Sequence, residues 1–339
     1  MSVISVKISD VAEKAGVSVS TVSRVLNGGK FVRKEIYDQV QDAIRELGYT
    51  PSLIARSLVL QKTNLIGVIV PDITSSFCST ILRGIGECSD QHGYNIIMCN
   101  IEDKVGHELK YFDIFDRMRV DGIILMHDRI NDDLQRFLKT HDIPIVLCSA
   151  SLPGFNYPAV NIDDYRAAYD AVNYLISQNH KRIAMISGIQ DDVGAGVKRY
   201  VGFIDAMKNA GLEVRREYIK RGNYKIGDGY RQMEELLSCD ELPTAVFAVS
   251  DDMAVGAMNC VIDHGMSVPG DISIIGFDDS EIASSVRPAL TTIHQPIREI
   301  GIMSVELLLK KINHEQIPIS SIILDHQLVL RGSCRKIEA

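Results

Sequence analysis

Apolar positions in the first fifty residues recur at helical spacing in three short blocks. Val11, Ala12 and Ala15 supply the inner face of the first, with Ser9 or Asp10 placed to cap it and Glu13 completing an Asp-x-x-Glu box. Gly16 makes a tight turn. Ser18 then caps a second helix in which Val19, Val22, Val25 and Leu26 keep the helical period. A third runs from about Lys34, with Ile36, Val40, Ala43, Ile44 and Leu47 inward and Gly48 as its stop. Two helices joined by a short turn containing Gly describe a helix-turn-helix, and the same pattern fits a small three-helix bundle with no DNA to bind.

Pro51 followed by Ser52-Leu53-Ile54-Ala55-Arg56-Ser57-Leu58 predicts a helix of about two turns, too short to be stable alone in water. It is either a plain linker or a helix that forms when a partner supports it. From Leu65 the period changes. Short apolar strands are expected at Ile66–Val70, Asn95–Cys99, Gly122–Met126, Ile145–Cys148, Ile183–Ser187, Ala245–Val249 and Ile272–Phe277. Longer amphipathic stretches such as Ser79–His92, Tyr165–Gln178, Lys198–Ala210 and Asp252–Gly265 fill the gaps. This alternation predicts βαβ units and parallel sheets covered by helices on both faces. Such a length exceeds what one sheet organises, so two similar α/β lobes are expected.

Composition adds that this is a soluble globular chain, 46% hydrophobic and 24% charged, with no apolar run long enough to cross a bilayer. Polar residues from Ser2 to Asp10 leave no export-signal layout, so a cytoplasmic location is expected. Seven scattered cysteines without a CxxC pair favour buried thiols over a metal or disulfide framework, and no cofactor is expected.

The net charge of −8 argues against nucleic acid until it is divided. Residues 1–60 hold eight Lys/Arg against six Asp/Glu, a balance of +2, leaving −10 for residues 61–339. Any DNA contact therefore belongs at the N-terminus. There the second helix leaves Val19, Ser20, Thr21, Ser23 and Arg24 on its outer side. Small hydroxyls at a helix N-terminus suit phosphates, because unbonded N–H groups and the helix dipole already favour an anion. Arg24 is forked, suited to taking guanine O6 and N7 together in the major groove.

The run Ile8-Ser9-Asp10-Val11-Ala12 through Val17-Ser18-Val19-Ser20-Thr21-Val22-Ser23-Arg24-Val25-Leu26-Asn27 resembles the signature of the lac repressor/galactose repressor (LacI/GalR) family. The resemblance continues at Pro71-Asp72-Ile73, Arg199-Tyr200-Val201-Gly202-Phe203, Asp251-Asp252-Met253-Ala254, Gly276-Phe277-Asp278-Asp279 and Arg287-Pro288-Ala289-Leu290. It implies a helix-turn-helix headpiece (1–50), a hinge helix (51–62) and a two-lobed body (63–339) resembling a periplasmic binding protein. It also implies a transcriptional repressor, a homodimer or tetramer on a pseudo-palindromic operator. By the match, Val19, Ser20 and Arg24 fall on base-reading positions, and Thr21, Ser23 and Asn27 on phosphate contacts. Ala55 and Leu58 fall in the hinge helix, Leu58 on the leucine that wedges into the minor groove and kinks the duplex.

For the body the resemblance implies a ligand cleft between the lobes, holding a small polar, sugar-like effector. Arg199 matches an arginine that grips hydroxyls or a carboxylate, and Asp278 an acidic partner able to take two adjacent hydroxyls. Tyr224 is suited to stacking on a sugar's apolar face, while Phe77 and Ser149 match first-lobe positions lining the cleft. Ser250 departs from the asparagine of many sugar-responsive members, offering one hydroxyl in place of an amide. An Arg199–Asp278 ion pair between lobes would look the same in sequence.

Other functions compete. A member answering to a phosphorylated protein co-regulator, as the catabolite control protein does, needs a cation on the helix after residue 296, where the matching residue is Glu306. A solute-binding receptor would need an export signal and leave the N-terminal helices without purpose. An enzyme would need a motif, but there is no P-loop, GxSxG or HExxH, and the nine histidines are dispersed.

Overall fold

The computed structural model describes residues 6–26, 32–49, 62–101, 107–127, 131–152, 154–188, 194–317 and 321–338. The chain divides into two units, Met1–Asn64 and Leu65–Ala339. Asn27, Ala55 and Leu58, and with them the expected helix after Pro51, lie outside the described residues.

In the first unit, α1 (Ile8–Lys14), α2 (Val19–Leu26) and α3 (Lys34–Leu47) close on a core of Val11, Ala12, Val22, Val25, Val40 and Ala43. Gly16 and Gly48 end α1 and α3 at φ +63° and +61°, a left-handed conformation that a side chain would strain. One expectation needs correcting. The first helix begins at Ile8, two residues earlier than a cap at Ser9 allows and three earlier than one at Asp10, and Lys7 is the capping residue. The Lys7 backbone N–H donates to the Asp10 carboxylate at 2.9 Å, so Asp10 fills the acidic box position assigned to Glu13. Ser18 caps α2 as expected, accepting from the Thr21 N–H at 3.2 Å.

The second unit holds two six-stranded sheets. The first has the order β11-β5-β4-β3-β1-β2, built from β1 (Leu65–Val70), β2 (Asn95–Asn100), β3 (Gly122–Leu125), β4 (Ile145–Cys148), β5 (Ala159–Ile162) and β11 (Ser321–Leu324). The second has the order β12-β10-β9-β8-β6-β7, from β6 (Ile183–Ser187), β7 (Ile219–Arg221), β8 (Ala245–Ala248), β9 (Ser273–Asp278), β10 (Thr291–His294) and β12 (Gln327–Val329). Every pairing is parallel except β10 with β12. Strands β1, β3, β4, β6, β8 and β9 are almost wholly buried, which is why each reads as a continuous apolar run. The sequence missed β5, β7, β10, β11 and β12. They are short, and β10 begins on paired threonines that periodicity does not mark as core.

Helices α4 (Ser76–Gln91), α5 (His107–Met118), α6 (Asp132–Thr140), α7 (Asp164–Ser177), α8 (Ala195–Asn209), α9 (Ile226–Leu237), α10 (Asp251–Asp263), α11 (Glu281–Ser285) and α12 (Ile297–Ile312) complete the body. Helix α7 follows β5 of the first sheet but packs on α8 of the second lobe; α12 follows β10 of the second sheet but packs on α4 of the first. The α4–α12 contact is close. A Cβ on Gly301 would meet the Ile81 carbonyl oxygen at 2.3 Å, and one on Gly84 the Arg298 carbonyl oxygen at 2.2 Å. The chain thus crosses between lobes after Ile162, after His294 and again after Leu324. These crossings matter for the site.

None of the seven cysteines is bonded in a disulfide, and Cys78, Cys88, Cys148 and Cys260 are buried. Among the described residues no helix is long and apolar enough to cross a membrane, and no group of His, Cys, Asp and Glu is arranged to hold a metal.

Candidate DNA-reading helix and effector cavity

Helix α2 turns Val22 and Val25 into the headpiece core and leaves Val19, Ser20 and Arg24 exposed. Thr21 and Ser23 are half-buried at the margin between these faces. At the N-terminus the hydroxyls form a cluster, with Ser18 Oγ 2.8 Å from Ser20 Oγ and 2.9 Å from Thr21 Oγ1. Ser18 thus covers the Thr21 N–H, and the exposed Ser20 hydroxyl is a donor that can reach a phosphate oxygen at this helix end.

In the body, a cavity of about 180 Å³ lies beyond the carboxyl ends of both sheets' strands, where open α/β sheets place ligands. Phe77, Ser149, Arg199, Tyr224, Ser250 and Asp278 all line it. The first lobe reaches it through the segments after β1, β3 and β4, the second through those after β7 and β8, the end of β9 and the side of α8. Ser149 and Tyr224 sit at φ +50° and +58°, and Asp278 at φ +122°. Backbone of this kind turns side chains at strand ends away from the sheet, and it clusters at functional sites.

Arg199 is 5% exposed and anchored rather than free. Its Nε donates to Asp164 Oδ1 at 2.9 Å, Nη2 lies 2.8 Å from the same oxygen, and Nη1 donates to the Val249 carbonyl at 2.7 Å. The guanidinium lies over the Phe277 ring, 3.7 Å from its centroid. The imagined Arg199–Asp278 bridge between lobes is therefore replaced. Both residues belong to the second lobe, and the arginine's bonded carboxylate is Asp164, the first residue of α7.

Asp278 is 7% exposed and accepts from Gln295 Nε2 at 2.7 Å. Burial pushes its carboxyl well above the usual carboxylate range, and the neighbouring Asp251 adds to this while Arg199 opposes it. Asp251 is fully buried behind the cavity. It accepts from the Ser280 N–H at 2.7 Å and from Thr292 Oγ1 at 2.6 Å, which ties α10 to the turn before α11 and to β10. Burial raises it to about 6 despite those donors.

Ser250 caps α10, its Oγ accepting from the Met253 N–H at 3.2 Å. Its hydroxyl therefore has a structural duty beside any ligand contact.

Several wall residues escaped the sequence reading. Asp72, after β1, is joined across the cleft to Lys225, which precedes α9; Lys225 Nζ also donates to Thr74 Oγ1 at 3.1 Å. Burial alone would raise the Asp72 carboxyl, but hydrogen bonds from Lys225 and Thr74 outweigh it and hold it low. His127, on the first-lobe wall, has Nε2 2.9 Å from Oε1 of Glu108, and both side chains are buried. Asp252 lines the cavity from the first turn of α10, and burial raises its carboxyl. Asp72 and Asp252 stood inside motifs already noted. Asp164, Gln295, Lys225 and His127 carried no local signal, because their partners lie far along the chain.

Residues 7–52 match the model of bacterial regulatory proteins of the lacI family, and residues 172–334 that of a periplasmic binding protein-like domain. The chain is 38% identical to catabolite control protein A of Priestia megaterium over 330 residues, covering 97% of this chain and 99% of the relative. Among solved structures it is similar to the lac repressor dimer bound to operator and the anti-inducer ONPF. That likeness has a TM-score of 0.88 at 27% identity, over 97% of this chain and 99% of the other. It is also similar to a LacI family transcriptional regulator from Enterococcus faecium with bound ribose, with a TM-score of 0.73 at 30% identity over 81% and 100%. A helix that exposes one polar face beside a three-helix core and a two-lobed body around a polar cavity accord with these relatives: the chain belongs to the LacI family of DNA-binding transcriptional regulators.

Proposed function

We propose that this regulator binds a pseudo-palindromic operator as a homodimer, and that a small polar ligand of sugar type in the cavity between its lobes sets operator affinity. Val19, Ser20 and Arg24 read base edges in this account, and Thr21 and Ser23 hold phosphates. Asn27, Ala55 and Leu58 take the phosphate, hinge and wedge roles that the family resemblance implies. The cavity is the effector site, with Arg199, Asp278, Tyr224, Phe77, Ser149 and Ser250 in contact with the ligand.

One observation carries the reading. Polar side chains from both lobes face a single cavity, and each chain crossing between the lobes is bonded close to it or to the lobe behind it. Asp164, just past the first crossing, holds Arg199; Gln295, in the second, holds Asp278; His326, in the third, lies 3.1 Å from Asp170 of α7. A ligand gripping both lobes therefore binds according to the angle between them, and by linkage it biases that angle. The ribose-bound and anti-inducer-bound relatives supply the same expectation by analogy.

A protein co-regulator is disfavoured. The residue that the family resemblance sets where a co-regulator's phosphate needs a cation is Glu306, exposed on α12, and the nearby Arg298 is already held by Glu87, its Nε donating at 2.8 Å.

The test is selection of bound duplexes from a randomised pool by the full-length protein. Two related half-sites in inverted orientation are expected. Enrichment of a single unpaired site, or none, refutes the dimeric-operator reading.

A further inference from the structure

Among the described residues, the cavity wall carries three side chains able to bear positive charge, and each is already matched to a carboxylate. Arg199 is bonded twice to Asp164 Oδ1 and once to the Val249 carbonyl. Lys225 is bonded to Asp72 and Thr74. His127 lies against Glu108 at 2.9 Å.

Two wall carboxylates are not matched in this way. Asp278 takes one hydrogen bond on Oδ1, from Gln295, and Oδ2 takes none among the described residues. Asp252 accepts no hydrogen bond and joins no ion pair there, although Lys225 is near enough to lower its carboxyl against the effect of burial. The N-terminus of α10 would attract an anion if it were open. It is not, because Ser250 caps it and Asp251 and Asp252 occupy its first turn.

We infer that the effector of this cavity is rich in hydrogen-bond donors and carries no acidic group, a polyol or amino-polyol, and that Asp252 is a second specificity carboxylate acting with Asp278. An ionised Asp252 only accepts, so the ligand must supply an O–H or N–H donor toward it, and the open Oδ2 of Asp278 is placed for a ligand hydroxyl, which can both donate and accept. A phosphate or carboxylate would meet like charge in a partly desolvated space, with no uncommitted cation among the described residues of the wall to offset it. Phe77 from the first lobe and Tyr224 from the second offer apolar surface for the ring of such a ligand. This deepens the effector-cavity reading and rests on it.

The experiment is a thermal-shift series on the full-length protein with matched compounds: ribose and ribose 5-phosphate, glucose and glucose 6-phosphate, glucosamine and gluconate. Wild type and Asp252→Asn are compared, and the unliganded melting temperature of the variant reports its folding. At least one neutral or amino sugar should stabilise wild type, with no gain from the phosphorylated or acidic partner. Asp252→Asn should weaken the amino sugar about tenfold or more, beyond its effect on the neutral one, since hydrogen bonds to an ionised group are the stronger class. An acidic compound that stabilises wild type more than its neutral parent overturns this inference and leaves the effector cavity standing. Equal weakening of neutral and amino sugars by Asp252→Asn overturns the role of Asp252 alone. No stabilisation by any compound overturns the inference and the cavity reading together.

Discussion

The side-chain amide of Gln295 donates to Asp278 Oδ1 at 2.7 Å, bonding the second crossing between the lobes to a carboxylate of the cavity wall. Gln295 is 1% exposed, and its own amide oxygen has no partner among the described residues. The next residue upstream, His294, repeats the link through Nδ1 to Asp279 at 3.0 Å. A ligand that engages Asp278 through its open Oδ2 shares a carboxyl group with Gln295, and is thereby coupled to the segment that leads into α12 of the other lobe. Gln295→Met keeps the volume and removes the donor. Ligand affinity is predicted to stay within about tenfold of wild type, since one hydrogen bond to a charged group is lost. The ligand's effect on operator affinity should collapse toward none. Fluorescence anisotropy on a labelled operator, with and without ligand, checks this; full retention of the effect would show that the crossing does not transmit it.

Arg199 and Asp164 form a buried pair, with side chains 6% and 8% exposed. Arg199→Ala strands the Asp164 carboxylate, at a cost of about 3–5 kcal/mol of body stability. Arg199→Met combined with Asp164→Leu removes both charges and should recover most of that loss. Urea unfolding of the two variants decides. A single-variant cost under about 1 kcal/mol, the range of exposed pairs, would contradict the desolvated geometry.

Asp251 gives a pH dependence of definite sign. Its carboxyl is raised by burial from 3.8 to about 6, so the folded state binds the proton more tightly than the unfolded chain. That contribution to stability is fully present below about pH 4 and is lost as the pH rises through about 6. Asp251→Asn does not titrate. Its destabilisation relative to wild type is therefore predicted to shrink between pH 4.5 and pH 8, measured by urea unfolding at each pH. A penalty that grows with pH would mean that the ionised form, holding its Ser280 and Thr292 donors, is the one the fold prefers.

For the headpiece, Arg24→Ala should cost discrimination at one base pair per half-site by roughly 1–3 kcal/mol. Binding to a duplex panel with single substitutions measures it. Uniform weakening across the panel would instead make Arg24 a phosphate contact.

How much of this was legible beforehand follows from where each signal resides. The helices of the headpiece carry theirs locally, in Ser18, Gly16, Gly48 and the spacing of Val22 and Val25, and only the start of α1 was misplaced. The long buried strands announce themselves because both faces are covered. Strands β11 and β12 do not. Each pairs with a strand far back in the chain, Ile323 with Asn161 and Leu328 with Ile293, and that pairing is invisible to periodicity. At the cavity, the motif residues Arg199 and Asp278 both line the wall, but the protein groups that hold them are not legible in the sequence. Asp164 and Gln295 lie 35 and 17 residues from the groups they hold, and nothing in their immediate neighbours marks them. Lys225 and Asp72 are separated by 153 residues and meet only because the two lobes face each other.

If the effector cavity and the headpiece share one coupling free energy, the coupling must be reciprocal. The factor by which the best-stabilising sugar changes operator affinity is measured by anisotropy. The factor by which saturating operator changes that sugar's affinity is measured by calorimetry on the same full-length protein. Linkage requires the two factors to be equal, and couplings of this kind are typically about 5- to 150-fold. Equal factors well away from one are the predicted result; a sugar that binds the cavity yet leaves operator affinity unchanged would contradict the account.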